Sequence, residues 1–149
     1  MKTRYGLEIR AASGTDAGGL CGLMEAAGEA ISVRAMAERL ENIRQMPGAA
    51  LLAAEWGPPV GVVLLHWYWT LQADQPTAQI TTLLVARDER RRGIGRLLIK
   101  AAAQAARVAG CGALELLAVP EEQALDAFCA ATGFAGGGTR FFRPLRKKG

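Results

Sequence analysis

The chain is poor in the residues that build metal sites and disulfides. Its 149 residues hold one histidine, His66, and three cysteines, Cys21, Cys111 and Cys129. Three thiols cannot all pair, and their spacings match no metal-ligand pattern. Reduced cysteines, a cytoplasmic location and no bound metal are therefore the expectation. Aromatic residues make up only 6% of the chain. None is interleaved with the basic clusters in the way that base stacking requires, which argues against a nucleic-acid partner. Long apolar runs are missing too. The longest, Val60 to Leu71, is interrupted by His66 and is too short to cross a bilayer. No apolar leader stands at the N-terminus, so no membrane partner is expected.

What is present is the composition of one folded domain over residues 1–149: half the residues are hydrophobic and 21% are charged. The net charge of +4 is modest. Much of it sits in two places, the stretch Arg87 to Arg96 and the tail Arg143 to Lys148. Such local concentration points to a small anionic ligand.

The chain is organised around Ile80 to Lys100. Ile80, Thr81, Thr82, Leu83, Leu84 and Val85 form a β-branched, apolar run that reads as a strand. A charged turn follows, Arg87 to Arg92, and then Gly93 and Gly95. Ile94, Leu97, Leu98, Ala101, Ala105 and Val108 recur at helical spacing. Strand, turn and helix in this order make an anion site. The first amides of a helix lack intrahelical partners and carry the positive end of the dipole. Glycines let a ligand approach the backbone, and Arg90, Arg91, Arg92 and Arg96 add charge that can fork onto phosphate oxygens. The third glycine of a dinucleotide fingerprint is replaced by Leu98, and no G-K-[ST] follows, so neither the dinucleotide motif nor a P-loop is present.

The rest of the chain alternates between strand and helix patterns. Tyr5 to Ala11 reads as a first strand. Ser13 and Asp16 mark a helix start, with Leu20, Leu23, Met24, Ala27 and Ile31 on one face; Gly18, Gly19 and Gly22 weaken that helix. Ser32 caps a second helix whose apolar face is Val33, Met36, Ala37, Leu40 and Ile43, stopped by Pro47-Gly48. Ala49 to Trp56 and Val60 to Leu71 make a hairpin through Gly57-Pro58-Pro59. Ala113 to Val119 is a strand expected to lie parallel to Ile80–Val85 through a right-handed crossover. A further helix starts at Pro120, and Thr139 to Leu145 reads as a closing strand.

Arg90-Arg91-Arg92-Gly93-Ile94-Gly95, placed after Leu83-Leu84-Val85, matches [QR]-x-x-G-x-[GA] and resembles the acyl-CoA-binding segment of the GNAT acetyltransferase superfamily. Gly133-Phe134 is similar to the G-F that ends that family's last helix. The resemblance is most specific over residues 80–134. It implies an α/β (α+β) fold: a mixed, mostly antiparallel sheet, splayed after strand four and flanked by about four helices. It implies acetyl-CoA or CoA as cofactor. The pantetheine arm would bond Leu83, Leu84 and Val85, and the pyrophosphate would lie on Arg90 to Arg96, including Gly93, Ile94 and Gly95. It further implies an N-acetyltransferase acting on a small-molecule or protein amine by direct attack in a ternary complex. Homodimers are common among such relatives. A non-catalytic acyl-CoA-binding or regulatory module on the same fold is the alternative.

The resemblance breaks down at the catalytic groups. The family often places a carboxylate on strand four where this chain has Thr81, with Thr82 beside it. Glu55, His66 or a water held by strand backbone could serve as base. The tyrosine that commonly protonates the leaving thiolate falls in register with Cys129, which also reads as a small core residue beside Leu125 and Phe128. Trp67 and Trp69 share one strand face and His66 and Tyr68 the other, so only one pair can line an acceptor pocket.

Overall fold

A computed structural model describes residues 7–54, 57–89, 93–117, 133–134 and 143–145. Its elements run β1 (Glu8–Ala11), α1 (Ala17–Ala26), α2 (Val33–Arg44), β2 (Gly48–Ala54), β3 (Gly61–Tyr68), β4 (Thr77–Val85), α3 (Ile94–Val108) and β5 (Ala113–Leu116). The sheet order is β1-β2-β3-β4-β5. The first four strands are antiparallel neighbours, and β5 joins β4 in parallel. The β4–α3–β5 unit is the expected crossover, because parallel neighbours need an intervening element.

The hydrophobic alternation of the strands decides which helices cover which face. Leu65, Ala78 and Ile80 face α3, where Ile94, Leu98 and Ala102 fill the same core. Leu52 and Val62 point the other way, into a second core with Leu20, Leu23, Met36 and Leu40 of α1 and α2. Period two in the strands against period 3.6 in the helices makes this division legible from sequence.

Helix α3 is seated by one close approach. A Cβ at Gly61 would lie 2.9 Å from Leu98 Cδ1 and 3.1 Å from Ile94 Cγ2. Glycine at this position lets the first turns of α3 pack against β3 without displacing Leu98 or Ile94. Since Gly61 pairs with Val85, the start of α3 is held beside the end of β4.

Helix α2 begins as its sequence suggests: Ser32 accepts a hydrogen bond from the Ala35 amide at 3.1 Å. The expected start at Ser13 and Asp16 is a short 3-10 turn, Gly14–Asp16, that leads into α1. Asp16, nearly buried, accepts from Ser13 N at 2.8 Å and from both terminal nitrogens of Arg10, at 2.9 and 2.7 Å. These bonds, the Arg10 guanidinium first, hold the Asp16 carboxyl below the usual carboxylate range against the opposing effect of burial. A depressed folded-state value means that the stabilisation is present above the unfolded pKa and is lost as pH falls through the folded one. Asp16→Asn should therefore cost about 2 kcal/mol at neutral pH, the worth of a hydrogen bond to a charged group. The gap from wild type should shrink below about pH 4, measured by urea unfolding.

Several boundaries differ from the expectation. Helix α1 ends at Ala26, and Gly28 has φ +93, so Ile31 lies outside the helix. Val33 and Val108 are helical, but 55% and 79% exposed, and do not contribute to an apolar face. Strand β3 stops at Tyr68, leaving Trp69 and Leu71 in the connection, 69% and 103% exposed. Strand β4 begins three residues before Ile80, at Thr77, since polar Thr77 and Gln79 pair as well as their apolar neighbours do. Residues 143–145 are described and are not strand. The helix expected from Pro120 lies outside the described residues, and three α-helices are seen among those described.

Candidate active site

The candidate site lies where, among the described residues, β4 loses its outer neighbour. Strand β5 pairs with β4 only over Thr77 to Ile80, and the last bond runs from Leu117 N to Ile80 O at 3.1 Å. From Thr81 to Val85, among the described residues, no strand pairs with the outer edge of β4. The inner edge stays paired with β3. Ala86 donates its amide to Val60 O at 2.8 Å, on the β3 side. Main-chain groups alternate between strand edges, so Leu84 faces β3 while Leu83 and Val85 face the open edge.

A bulge makes this possible. Leu64 pairs with Thr82 but Leu65 pairs with Ile80, so Thr81 is an extra residue in β4. An extra residue shifts the strand's alternation by one. Ala78 and Ile80 before it, and Leu83 and Val85 after it, thereby point to the same α3-side core. Apolar positions at 78, 80, 83 and 85 break the period of two once, and that break is the trace the bulge leaves in the sequence.

Just beyond β4 lies the N-terminus of α3. Gly93 is the N-cap, with φ +77 in the left-handed region. Its carbonyl accepts the first helical bond, from Leu97 N at 3.1 Å. The amides of Ile94, Gly95 and Arg96 thus precede the first intrahelical donor. Ile94 is buried, and Gly93 and Arg96 are exposed. Arg90, Arg91 and Arg92 lie outside the described residues, as do Glu55 and Cys129.

On the opposite face of the sheet, register joins two residues fifteen positions apart in the chain. His66 Nε2 lies 3.1 Å from Thr81 Oγ1, so the histidine touches the bulge residue. Along the same face, Tyr68 donates a 2.6 Å hydrogen bond to Glu115 of β5. That bond, with burial and the carboxylate charge adding to it, raises the Tyr68 pKa, so the phenol stays a donor. The Tyr68–Glu115 contact had no signal in the sequence, since it depends on β5 standing two strands away. Of the two aromatic pairs, Trp67 packs on the α3-side core and His66 with Tyr68 occupies the polar face. A cleft of about 230 Å³ adjoins this face, lined among others by Leu40, Arg44, Gly48 and Ala50. Among the described residues, no three His, Cys, Asp or Glu side chains could share a metal, and no helix is long and apolar enough to cross a membrane.

The family model of the GNAT acetyltransferases matches residues 22–134, most of the chain. The chain belongs to this family. GNAT enzymes use acetyl-CoA. A putative acetyltransferase from Agrobacterium tumefaciens has 26% identity and a TM-score of 0.82, covering 93% of this chain and 99% of its own. An acetyltransferase from Trypanosoma brucei shares the fold at 19% identity and TM-score 0.81, with 93% and 99% covered. So does an aminoglycoside N-acetyltransferase, AAC(6')-Iy, solved in complex with CoA, at 21% identity and TM-score 0.81, with 95% of each chain covered. No curated protein sequence matches the chain.

The GNAT fold of the sequence reading is thus the fold observed: a mixed, mostly antiparallel sheet in which, among the described residues, β5 pairs with only the first part of β4. The two halves of the proposed cofactor segment, Leu83–Val85 and Gly93–Arg96, lie at adjoining ends of β4 and α3. Of the three candidate catalytic side chains, His66 alone falls among the described residues.

Proposed function

We propose that this GNAT domain transfers the acetyl group of acetyl-CoA to a primary amine by direct attack in a ternary complex. The observation that carries the reading is the outer edge of β4 from Thr81 to Val85, unpaired among the described residues, which leads to the amides at the start of α3. The residues present fit the cofactor. The main-chain groups of Leu83 and Val85 would bond the pantetheine amides. The amides of Ile94, Gly95 and Arg96, with the Arg96 guanidinium and Arg90 to Arg92, would hold the pyrophosphate. Hydrogen bonds to a charged group are worth roughly 1.5–3 kcal/mol each, so a few suffice to anchor it. When bound, acetyl-CoA supplies a thioester carbon open to nucleophilic attack.

The protein's own task is to strip the acceptor of a proton. A lysine-like amine has a pKa near 10.4, so deprotonation at neutral pH costs roughly 4–5 kcal/mol. The polar sheet face with His66, Tyr68 and Glu115 suits a cationic acceptor. An aminoglycoside enzyme solved with sisomicin and a glucosamine-6-phosphate N-acetyltransferase from Arabidopsis thaliana share the fold, at TM-scores of 0.79 and 0.78. Their amino sugars are reasonable first acceptors to try.

The test is release of CoA thiol from acetyl-CoA across an amine panel. Steady turnover with at least one amine is the expected result. Saturable CoA binding with no thiol release would instead mark a non-catalytic acyl-CoA-binding module.

A further inference from the structure

We propose that His66 and Thr81 form a proton relay that replaces a carboxylate base in the transfer reaction; this rests on the acetyltransferase reading above. Three observations meet at one point. Thr81 is the bulge residue of β4, and it is the first residue past the last rung between β4 and β5. Thr81 is exposed, so an acceptor entering past the last described β4–β5 rung meets it. Behind it stands the half-buried His66, with Nε2 at 3.1 Å from Oγ1. A threonine hydroxyl is no base by itself. With an imidazole nitrogen accepting its proton, it becomes one, in the manner of a hydroxyl activated by an adjacent histidine.

The β3–β4 register places the pair. Thr81 follows core-facing Ile80 and so points to the opposite face, the face of His66, whose partner on β4 is Gln79. The bulge lets β4 keep Thr81 on this face and still return Leu83 and Val85 to the α3-side core.

The step balances as follows. The acceptor ammonium gives a proton to Thr81 Oγ1 while the hydroxyl proton passes to His66 Nε2. The neutral amine nitrogen then bonds to the acetyl carbon as the carbon–sulfur bond breaks. The second N–H proton goes to the departing sulfur, and the imidazolium returns its proton to water. Products are the amide, the CoA thiol and one proton. The relay requires Thr81 to donate to Nε2, which fixes the neutral imidazole with its proton on Nδ1.

Other titratable groups stand near. Tyr68 lies on the same strand face and Glu115 on β5, bonded to each other. Across the cleft at Gly48, the strand-β2 partner of His66, Arg44 of α2 is paired with Glu41. The β2 and β4 residues flanking His66 on this face, Gly48, Ala50, Gln79 and Thr82, carry no charge.

His66 is the chain's only histidine, so its ring nitrogens give one unambiguous set of NMR signals. In wild type the 15N shifts should report an unprotonated, hydrogen-bonded Nε2, and Thr81→Val should move the ring towards the other tautomer. Kinetics would use acetyl-CoA with sisomicin, glucosamine 6-phosphate, spermidine and a lysine peptide. His66→Gln should lower kcat about 100-fold and remove the acid limb of the pH profile, with KM for acetyl-CoA unchanged within about twofold. Thr81→Val should lower kcat at least about tenfold, and Thr81→Ser should restore it. An imidazole indifferent to Thr81→Val, or a His66→Gln enzyme with near wild-type kcat and pH profile, would overturn the relay. Where none of the four amines is turned over, the tautomer measurement alone decides. CoA titration of the same proteins separates the two ideas: absence of binding to wild type removes the acetyltransferase reading, and the relay with it.

Discussion

The double variant Gly93→Val/Arg96→Glu is expected to bind CoA at least about 300-fold more weakly than wild type, a loss of roughly 3.5 kcal/mol. Two effects add. Gly93 sits at φ +77, a conformation that a β-branched residue adopts only under strain, and it sets the direction in which the chain enters α3. A valine there turns the first helical amides away from their present aim. Arg96 is exposed in the first turn of α3, and a glutamate in its place replaces an attractive charge with a repulsive one beside a pyrophosphate. Loss of one or two charge-assisted hydrogen bonds, at roughly 1.5–3 kcal/mol each, accounts for the figure. The fold should survive, because a Cβ at Gly93 meets nothing within 4 Å and the cost is local strain of about 1–2 kcal/mol. Calorimetric titration with CoA, beside a thermal melt of the same sample, checks both halves. A variant that melts like wild type and still binds CoA with wild-type affinity would detach the ligand from the helix N-terminus.

Leu98→Ala should be the most damaging single truncation for stability, at about 3 kcal/mol. The side chain is fully buried and belongs to the core shared by β3, β4 and α3. It also fills the space over Gly61, where its Cδ1 would come within 2.9 Å of a Cβ. No side chain on β3 can expand into the gap at that point, so the cavity stays open. For a chain of this size, 1 kcal/mol shifts the melting temperature by roughly 2–4 °C, which puts the expected fall near 6–12 °C. CoA affinity should drop as well, since Leu98 and Ile94 together hold the start of α3 beside Val85. Gly61→Ala probes the same contact from the other side, through overpacking.

The β4–turn–α3 unit was the most legible part of the chain, because a β-branched run, a charged turn and an amphipathic helix change period at defined residues. The two-core arrangement was legible for the same reason. The connection after β3 was misread: the apolar character of Trp69 and Leu71 suggested strand where the ladder has already ended at Tyr68. Val108 faces solvent because the buried stripe of α3 runs through Ile94, Leu98, Ala102 and Ala106, and Val108 lies off it. For the site, sequence pattern pointed to the turn before α3, where an anion site is proposed. It named His66 as a candidate base and Thr81 only as the residue standing where a carboxylate is usual, and the register between β3 and β4 is what brings them together. That register was written in the spacing of Ala78, Ile80, Leu83 and Val85, but a single skipped step in an apolar run is easily taken for noise.

The central claim is that a pyrophosphate rests on the α3 amides while a pantetheine arm runs along the open edge of β4. Parallel titrations of the wild-type protein with acetyl-CoA and with acetyl-pantetheine, which lacks the pyrophosphate, test it most directly. The account predicts saturable acetyl-CoA binding and an affinity for acetyl-pantetheine at least about 100-fold lower, the worth of one or two bonds to a charged group. Equal affinity for the two, or no binding of acetyl-CoA to folded protein, would contradict it.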